Sequence, residues 1–337
     1  MQQASAVPVP VTILTGFLGA GKTTLLNRLL AVANERIVVI ENEFGPVSID
    51  SELLIQATAE LVEMTNGCLC CTIRGDLARH LRQLHARRMA GELLFDRLVI
   101  ETTGLADPTP IAQTFFSEAE LADAYVLDGV VAVVDAIHAD EQLSQHAVAR
   151  KQVGFADRLL ISKSDLAEPA NVAHLSERLA AMNLQAAQLE LADGQIDAST
   201  VFDLRGFHLD EGILQSNKAE DAALLFRPVG GKSFGDDIAA IHLQHEGCLD
   251  FAQISAFMRE LVERCADDLL RYKGVLAVSG NVQRLIFQGV HQMLGFDYGR
   301  PWQDGETPVS DMVLIGRSLP EEWIRSSFMA CIAQEAL

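Results

Sequence analysis

Basic residues are scarce in this chain: 26 Lys and Arg stand against 46 Asp and Glu, a formal charge of −20 on 337 residues. A surface this acidic repels phosphate backbones and anionic headgroups, which excludes nucleic acid and membranes as partners and favours cations and basic protein patches. No apolar run approaches the ~20 residues needed to cross a bilayer. The opening Met1-Gln-Gln-Ala-Ser-Ala6 has neither a basic nor an apolar leader segment, and Val7–Thr15 already reads as a strand, so the expected location is cytoplasmic. The nine histidines are scattered, with no His-rich run to gather metal, and there are only six cysteines. Reduced cysteines in a cytosolic chain are not a disulfide framework, and a tight cluster of them points to metal or redox chemistry.

At ~100–200 residues per domain, this length holds two. Val11–Thr15, Ile37–Glu41, Leu98–Glu101, Gly129–Asp135 and Arg158–Ser162 are rich in Val, Ile and Leu on both pleat faces, the pattern of a parallel sheet. Between them, helical patterns cover Lys22–Ala33, Arg74–Met89, Pro110–Phe116, Ala147–Phe155 and Asn171–Met182. The alternation predicts a doubly wound α/β domain over residues 1–192. Gly- and Pro-rich turns make 193–235 a linker. Strands at Ile238–Leu243, Gly274–Ser279, Arg284–Gln288 and Met312–Gly316, with helices at Phe251–Cys265 and Pro320–Ala330, predict a smaller α+β domain over 236–337.

The sharpest local signal is Gly16-Phe17-Leu18-Gly19-Ala20-Gly21-Lys22-Thr23-Thr24, set between a strand and a helix. Glycines let backbone N–H groups converge on phosphates at a helix N-terminus. Lys22 is then placed for the β- and γ-phosphates, and the Thr23 hydroxyl for Mg²⁺. A similar-looking Gly230-Gly-Lys-Ser233 fails, because the first glycine of the pattern is replaced by Phe226. Glu101-Thr-Thr-Gly104 ends a buried strand, with Glu101 placed for the Mg²⁺ shell and Gly104 for a segment approaching the γ-phosphate. Lys22, Thr23 and Glu101 are thus the catalytic candidates. Ser162-Lys163-Ser164-Asp165 follows a later strand. A carboxylate at Asp165 matches the N1–H and 2-amino donors of guanine, Lys163 offers its stem to the purine face, and GTP is favoured over ATP.

Asn66-Gly67-Cys68-Leu-Cys70-Cys71 places three thiols within four residues and has no second pair to complete a structural zinc site. Three soft thiolates with an open position suit Zn²⁺ or Cu(I) and permit transfer by ligand exchange. Thiol redox sensing and buried, inert cysteines are the alternatives. Cys248, Cys265 and Cys331 are isolated and read as structural; His242 and His245, three apart on a strand, read as ordinary surface or core residues.

Taken with Glu41-Asn-Glu-Phe-Gly45, Leu270-Arg-Tyr-Lys-Gly274 and Arg300-Pro-Trp302, these motifs run nearly end to end, and the chain resembles the CobW-type metal-chaperone GTPases, most closely their YjiA branch. The resemblance implies slow GTP hydrolysis coupled to delivery of zinc, or another metal such as Co²⁺ or Ni²⁺, to a client metalloprotein. It implies metal held at Cys68, Cys70 and Cys71, with Cys70 central and Glu41 a neighbouring ligand, and a CobW-type domain at the C-terminus. One departure is Pro46, where relatives often carry a second acid. No residue here supplies an obvious arginine finger, which leaves that role to a client or to a second copy in a homodimer. Rival readings are a GTP-dependent switch whose cysteines sense redox or metal status, a non-enzymatic metal store, and an ATP-driven enzyme.

Overall fold

The computed structural model describes residues 7–43, 60–65, 70–191, 197–207, 236–303 and 305–333. The chain divides into two compact units, Met1–Ser176 with Gln188–Gly206, and Glu177–Ala187 with Phe207–Leu337. Each is described on its own below.

From Val9 to Leu191 the chain order is β1 (Val9–Gly16), α1 (Lys22–Val32), β2 (Ile37–Glu43), β3 (Glu60–Thr65), α2 (Cys70–Met89), β4 (Arg97–Thr102), α3 (Thr109–Ser117), α4 (Ala119–Ala124), β5 (Tyr125–Asp135), α5 (Ala139–Gln145), α6 (Ala147–Phe155), β6 (Arg158–Ser162), α7 (Pro169–Met182) and β7 (Ala187–Leu191), all in the first unit except Glu177–Ala187. The sheet order is β3-β2-β4-β1-β5-β6-β7. Every pairing from β3 through to β6 is parallel. The strands expected to be buried on both faces are so: β4 is buried at all six positions. Leu25, Leu26 and Leu29 of α1 pack on Leu14, Val39, Val99, Val131 and Leu160, which fastens the helix after the glycine-rich loop to the middle of the sheet.

Strand order reverses around β1, with β4 on one side and β5 on the other. This is the switch point at which open α/β sheets bind ligands beyond their strand ends. Register then collects the chemistry: Glu101 lies opposite Leu14 and Glu41, Gly16 opposite Val133, and Asp135 opposite Ser162.

The helix expected at Arg74 begins earlier, at Cys70, so the last two cysteines of the motif lie in its first turn. Nothing in Cys70–Ile73 opposes helix, so these residues continue the helical pattern back from Arg74.

In the second unit, β8 (Ile238–Glu246), α8 (Phe251–Cys265), β9 (Leu269–Leu276), β10 (Gln283–Val290), β11 (Met293–Pro301), β12 (Val309–Arg317) and α9 (Glu321–Ala330) follow in order. The sheet order is β11-β10-β9-β12-β8, antiparallel throughout. Its core joins Phe257 and Leu261 of α8 and Ile324 and Phe328 of α9 to Tyr272, Phe287, Met312 and Leu314 of the sheet. Asp250 caps α8 by accepting from Gln253 N at 2.9 Å. The strand expected at Gly274–Ser279 lies at Leu269–Leu276. Its Arg271 and Lys273 are buried, and Arg271 stacks over the Phe207 ring at 4.2 Å. Among the described residues no helix is long and apolar enough to cross a membrane.

Candidate nucleotide and metal site

β1 ends at Gly16 in a conformation that a side chain cannot share. Its φ is 140°, and a Cβ there would stand 2.3 Å from the Val133 carbonyl oxygen of the neighbouring strand. The loop continues through Phe17, Leu18, Gly19 and Ala20, closed by Ala20 N donating to the Phe17 carbonyl at 3.2 Å. α1 starts at Lys22 with no side chain capping it, so its first N–H groups face the loop's mouth, the arrangement that binds anions. Lys22 is only 9 % exposed, and its Nζ donates to the carbonyls of Gly16 at 3.0 Å and Phe17 at 3.4 Å. Thr23 Oγ1 donates to Glu101 Oε1 at 3.0 Å, while Thr24 lies on the exposed side of α1.

Glu101 and Glu41 stand side by side in register on β4 and β2, both buried. Two residues paired in a parallel ladder project to the same face of the sheet, so the expected Mg²⁺ residue and the expected acidic metal ligand are neighbours on one face. Beyond Glu101, Gly104 packs on the phosphate loop: a Cβ there would lie 2.6 Å from Leu18 N. The residue must be glycine for the two loops to touch.

At the other end of the loop, Ser162 Oγ donates to the Ala20 carbonyl at 2.7 Å. Lys163 adopts a left-handed conformation (φ 58°), and its Nζ donates to the Gly19 carbonyl at 2.9 Å and to Asp135 Oδ2 at 2.7 Å. Asp165 lies in the short turn Ser164–Leu166 with its side chain exposed. Glycine loop, Lys22, Thr23, Glu101, Ser162 and Lys163 are thus joined by direct hydrogen bonds across the ends of β1, β4 and β6.

Asp135, at the end of β5, was not among the expected residues. It accepts from Lys163, from the Ile137 N–H at 2.9 Å and bonds His138 Nδ1 at 2.9 Å. Burial alone would push its carboxyl up; those three bonds outweigh it and hold it below the usual carboxylate range. Gln152 and His146 are also additions. Gln152 donates to two carbonyls of the segment after Glu101, and the His146 ring stacks on Phe17 with centroids 4.7 Å apart. An acid closing the Val-rich run at Asp135 was the one local signal available for any of the three.

Cys68 lies outside the described residues, as do the side chains of Cys70 and Cys71, whose backbones open α2. Thr65 closes β3, the strand paired with β2, five positions before Cys70. Among the described residues no group of three or more His, Cys, Asp or Glu side chains is arranged to hold a metal. Cys265 and Cys331 are buried in the second unit's core, and burial pushes the Cys331 thiol up to about 11, the behaviour of inert packing residues. His242, on β8, bonds Asp311 Oδ1 at 2.9 Å.

A parallel sheet with a glycine loop, lysine and threonine at its switch point defines a phosphate-binding-loop nucleotide protein. Residues 10–190 match the CobW/HypB/UreG nucleotide-binding domain, and residues 238–332 match the cobalamin synthesis protein CobW C-terminal domain. The zinc chaperone YjiA of Escherichia coli is 45 % identical over 322 residues, spanning 95 % of this chain and 98 % of its own. The zinc chaperone CobW of Pseudomonas aeruginosa is 32 % identical over 361 residues, spanning 96 % and 92 %. The crystal structure of Zn(II)-bound YjiA GTPase from E. coli superimposes with a TM-score of 0.80 at 40 % identity, covering 97 % of this chain and 99 % of that one. The chain belongs to the CobW family of nucleotide-binding proteins.

Proposed function

We propose that this protein is a GTP-hydrolysing metallochaperone. It binds zinc at Cys68, Cys70 and Cys71 with help from Glu41, and delivers it to a client metalloprotein in the cytoplasm. In this reading residues 1–192 form the GTPase domain, 193–235 the linker and 236–337 the CobW-type domain. The observation that carries it is the register of Glu41 with Glu101 on adjacent strands. β2 bears the acid next to the nucleotide's cation residues and pairs with β3, whose end precedes the cysteines by a few residues. One stretch of sheet therefore serves both ligands.

Thr23 Oγ1 and Glu101 Oε1, 3.0 Å apart, are hard oxygen donors of the kind Mg²⁺ takes, and they fit that ion. Bound there, Mg²⁺ would supply charge neutralisation on the β- and γ-phosphates. Lys22 already lies along the loop's inner wall and needs only to exchange carbonyl partners for phosphate oxygens. Ser162 and Lys163 hold the loop's carbonyls at Ala20 and Gly19 and set the height of the base. Asp165, on the exposed turn that follows, is the guanine-reading carboxylate. Zinc on three thiolates leaves a position open for a client's ligand, the requirement for hand-over by exchange. Coupling demands that GTP and zinc each prefer one arrangement of the Glu41–Cys71 stretch, reciprocally.

Zinc affinity measured by chelator competition, in reducing buffer, with a non-hydrolysable GTP analogue and with GDP, tests the proposal. The expected result is a difference of about fivefold or more between nucleotide states. Cys70→Ala should cost at least ~10-fold in zinc affinity while leaving GTP binding within about twofold. Equal zinc affinity in both nucleotide states would refute delivery driven by GTP. Full affinity in Cys70→Ala would remove the motif from the metal site.

A further inference from the structure

A glutamine almost wholly withdrawn from water, 1 % exposed, sits in the middle of α6. A buried amide is costly unless its polar atoms are matched, and a leucine or methionine would fill the same space without that cost. Gln152 Nε2 is matched by main chain: it donates to the Gly104 carbonyl at 3.2 Å and to the Ala106 carbonyl at 3.0 Å. The preceding residue grips the same segment, with Lys151 Nζ 2.9 Å from Asp107 Oδ2. Asp107 Oδ1 in turn accepts from Thr109 N at 2.9 Å and starts α3. At the other end of α6, His146 stacks on Phe17 of the phosphate loop at an interplanar angle of 25°. One nine-residue helix therefore holds both the loop that takes the phosphates and the segment that follows Glu101.

The fit between those two loops is tight at the point that matters, because Gly104 has no room for even a methyl group against Leu18. A segment pressed so closely on the phosphate loop has to be held at one height or it blocks the loop. Main-chain hydrogen bonds from a buried, packed side chain supply that hold.

We propose that Gln152 is a positioning residue for GTP hydrolysis: through the Gly104 and Ala106 carbonyls it fixes the segment Gly104–Asp107 against the phosphate loop, with Lys151 securing its far end. This rests on the hydrolase reading above and deepens it. The N–H groups of the glycine loop take the α- and β-phosphates without help from Gln152, so the effect belongs to the step that involves the γ-phosphate.

Gln152→Leu keeps the volume and deletes both donors. In steady-state phosphate release, kcat should fall about tenfold, with KM for GTP and GDP affinity within about twofold of the parent. Gln152→Glu sets a carboxylate against two carbonyls and should be slower still. Lys151→Met, at a half-exposed position that tolerates change, should slow release by about threefold and serves if Gln152→Leu does not fold. A folded Gln152→Leu with parental kcat overturns the proposal. So does a parallel loss of GDP affinity and kcat, which would mark general loosening. If the parent chain binds GTP and releases no phosphate, the hydrolase reading fails. Gln152 is then judged by the ratio of GTP-analogue to GDP affinity, which Gln152→Leu should shift about fivefold, and an unchanged ratio overturns it.

Discussion

β4 carries a charged residue at each end, and the two ends are built on opposite principles. At the start of the strand, Arg97 spreads its guanidinium over three carboxylates, Glu35 at 2.9 Å, Asp203 at 2.7 Å and Asp128 at 3.4 Å, and lies over the Phe202 ring at 4.4 Å. All three nitrogens of the fork donate to carboxylates of the fold itself. At the other end, Glu101 accepts from the Thr23 hydroxyl and stands beside the Glu41 carboxylate, next to a loop whose glycines keep side chains away. Hydroxyl and carboxylate oxygens are what a divalent cation takes as ligands, and bare N–H groups are what phosphates take. Both ends bury charge, so burial of charge does not mark the site. What marks it is the choice of partners: an arginine that completes a network at one end, and donors suited to a phosphate and a cation at the other.

Substitutions at the two ends should therefore fail in different assays. Lys22→Ala is expected to lower phosphate release by at least ~100-fold, the usual loss when a preorganised charge is removed from a transition state. Its denaturant midpoint should stay close to the parent's. Arg97→Ala leaves Asp128 buried without its cation and should cost about 3–5 kcal/mol of stability in urea titrations. Its turnover per folded molecule should stay within about twofold of the parent. Lys22→Ala unfolding the domain, or Arg97→Ala silencing an intact fold, would erase the distinction between the ends.

How far the chain could be read beforehand follows from the same contrast. Gly16, Gly21, Lys22 and Thr23 are neighbours in sequence, so their chemistry is visible as spacing, and α6 and β6 match their expected bounds residue for residue. Asp135 and Gln152 were not legible, because the groups that tie them to the site, Lys163 and the Gly104 and Ala106 carbonyls, lie 28 and 46–48 positions away and meet them only in the folded chain. β11 escaped notice since Gly295 and Gly299 and the exposed Phe296 and Tyr298 dilute its alternation. β9 starts at Leu269 rather than Gly274 with Arg271 and Lys273 buried in it, and the ring that stacks on Arg271, Phe207, is far away in sequence.

Asp135 gives the smallest effect and the finest test of the comparison, since it combines both behaviours in one carboxylate. Like the Arg97 cluster it is an ion pair inside the fold; like Glu101 it serves the nucleotide loop, through Lys163 and the Gly19 carbonyl. Asp135→Asn keeps the shape and removes the charge, so Lys163 loses its anchor, and GDP affinity should fall about tenfold, the worth of one charged hydrogen bond. The pH dependence follows from the direction of its shift. The carboxyl is held below its usual range in the fold, so its ionised form stabilises the native state above the unfolded value, near ~3.9. That contribution is lost as pH falls through the lowered native value. The stability gap between the parent and Asp135→Asn, from urea midpoints, should stay level from about pH 8 to pH 5 and close below about pH 4. If the gap closed between pH 8 and pH 6 instead, the titrating group would not be Asp135, and the loop's anchor would have to be sought elsewhere.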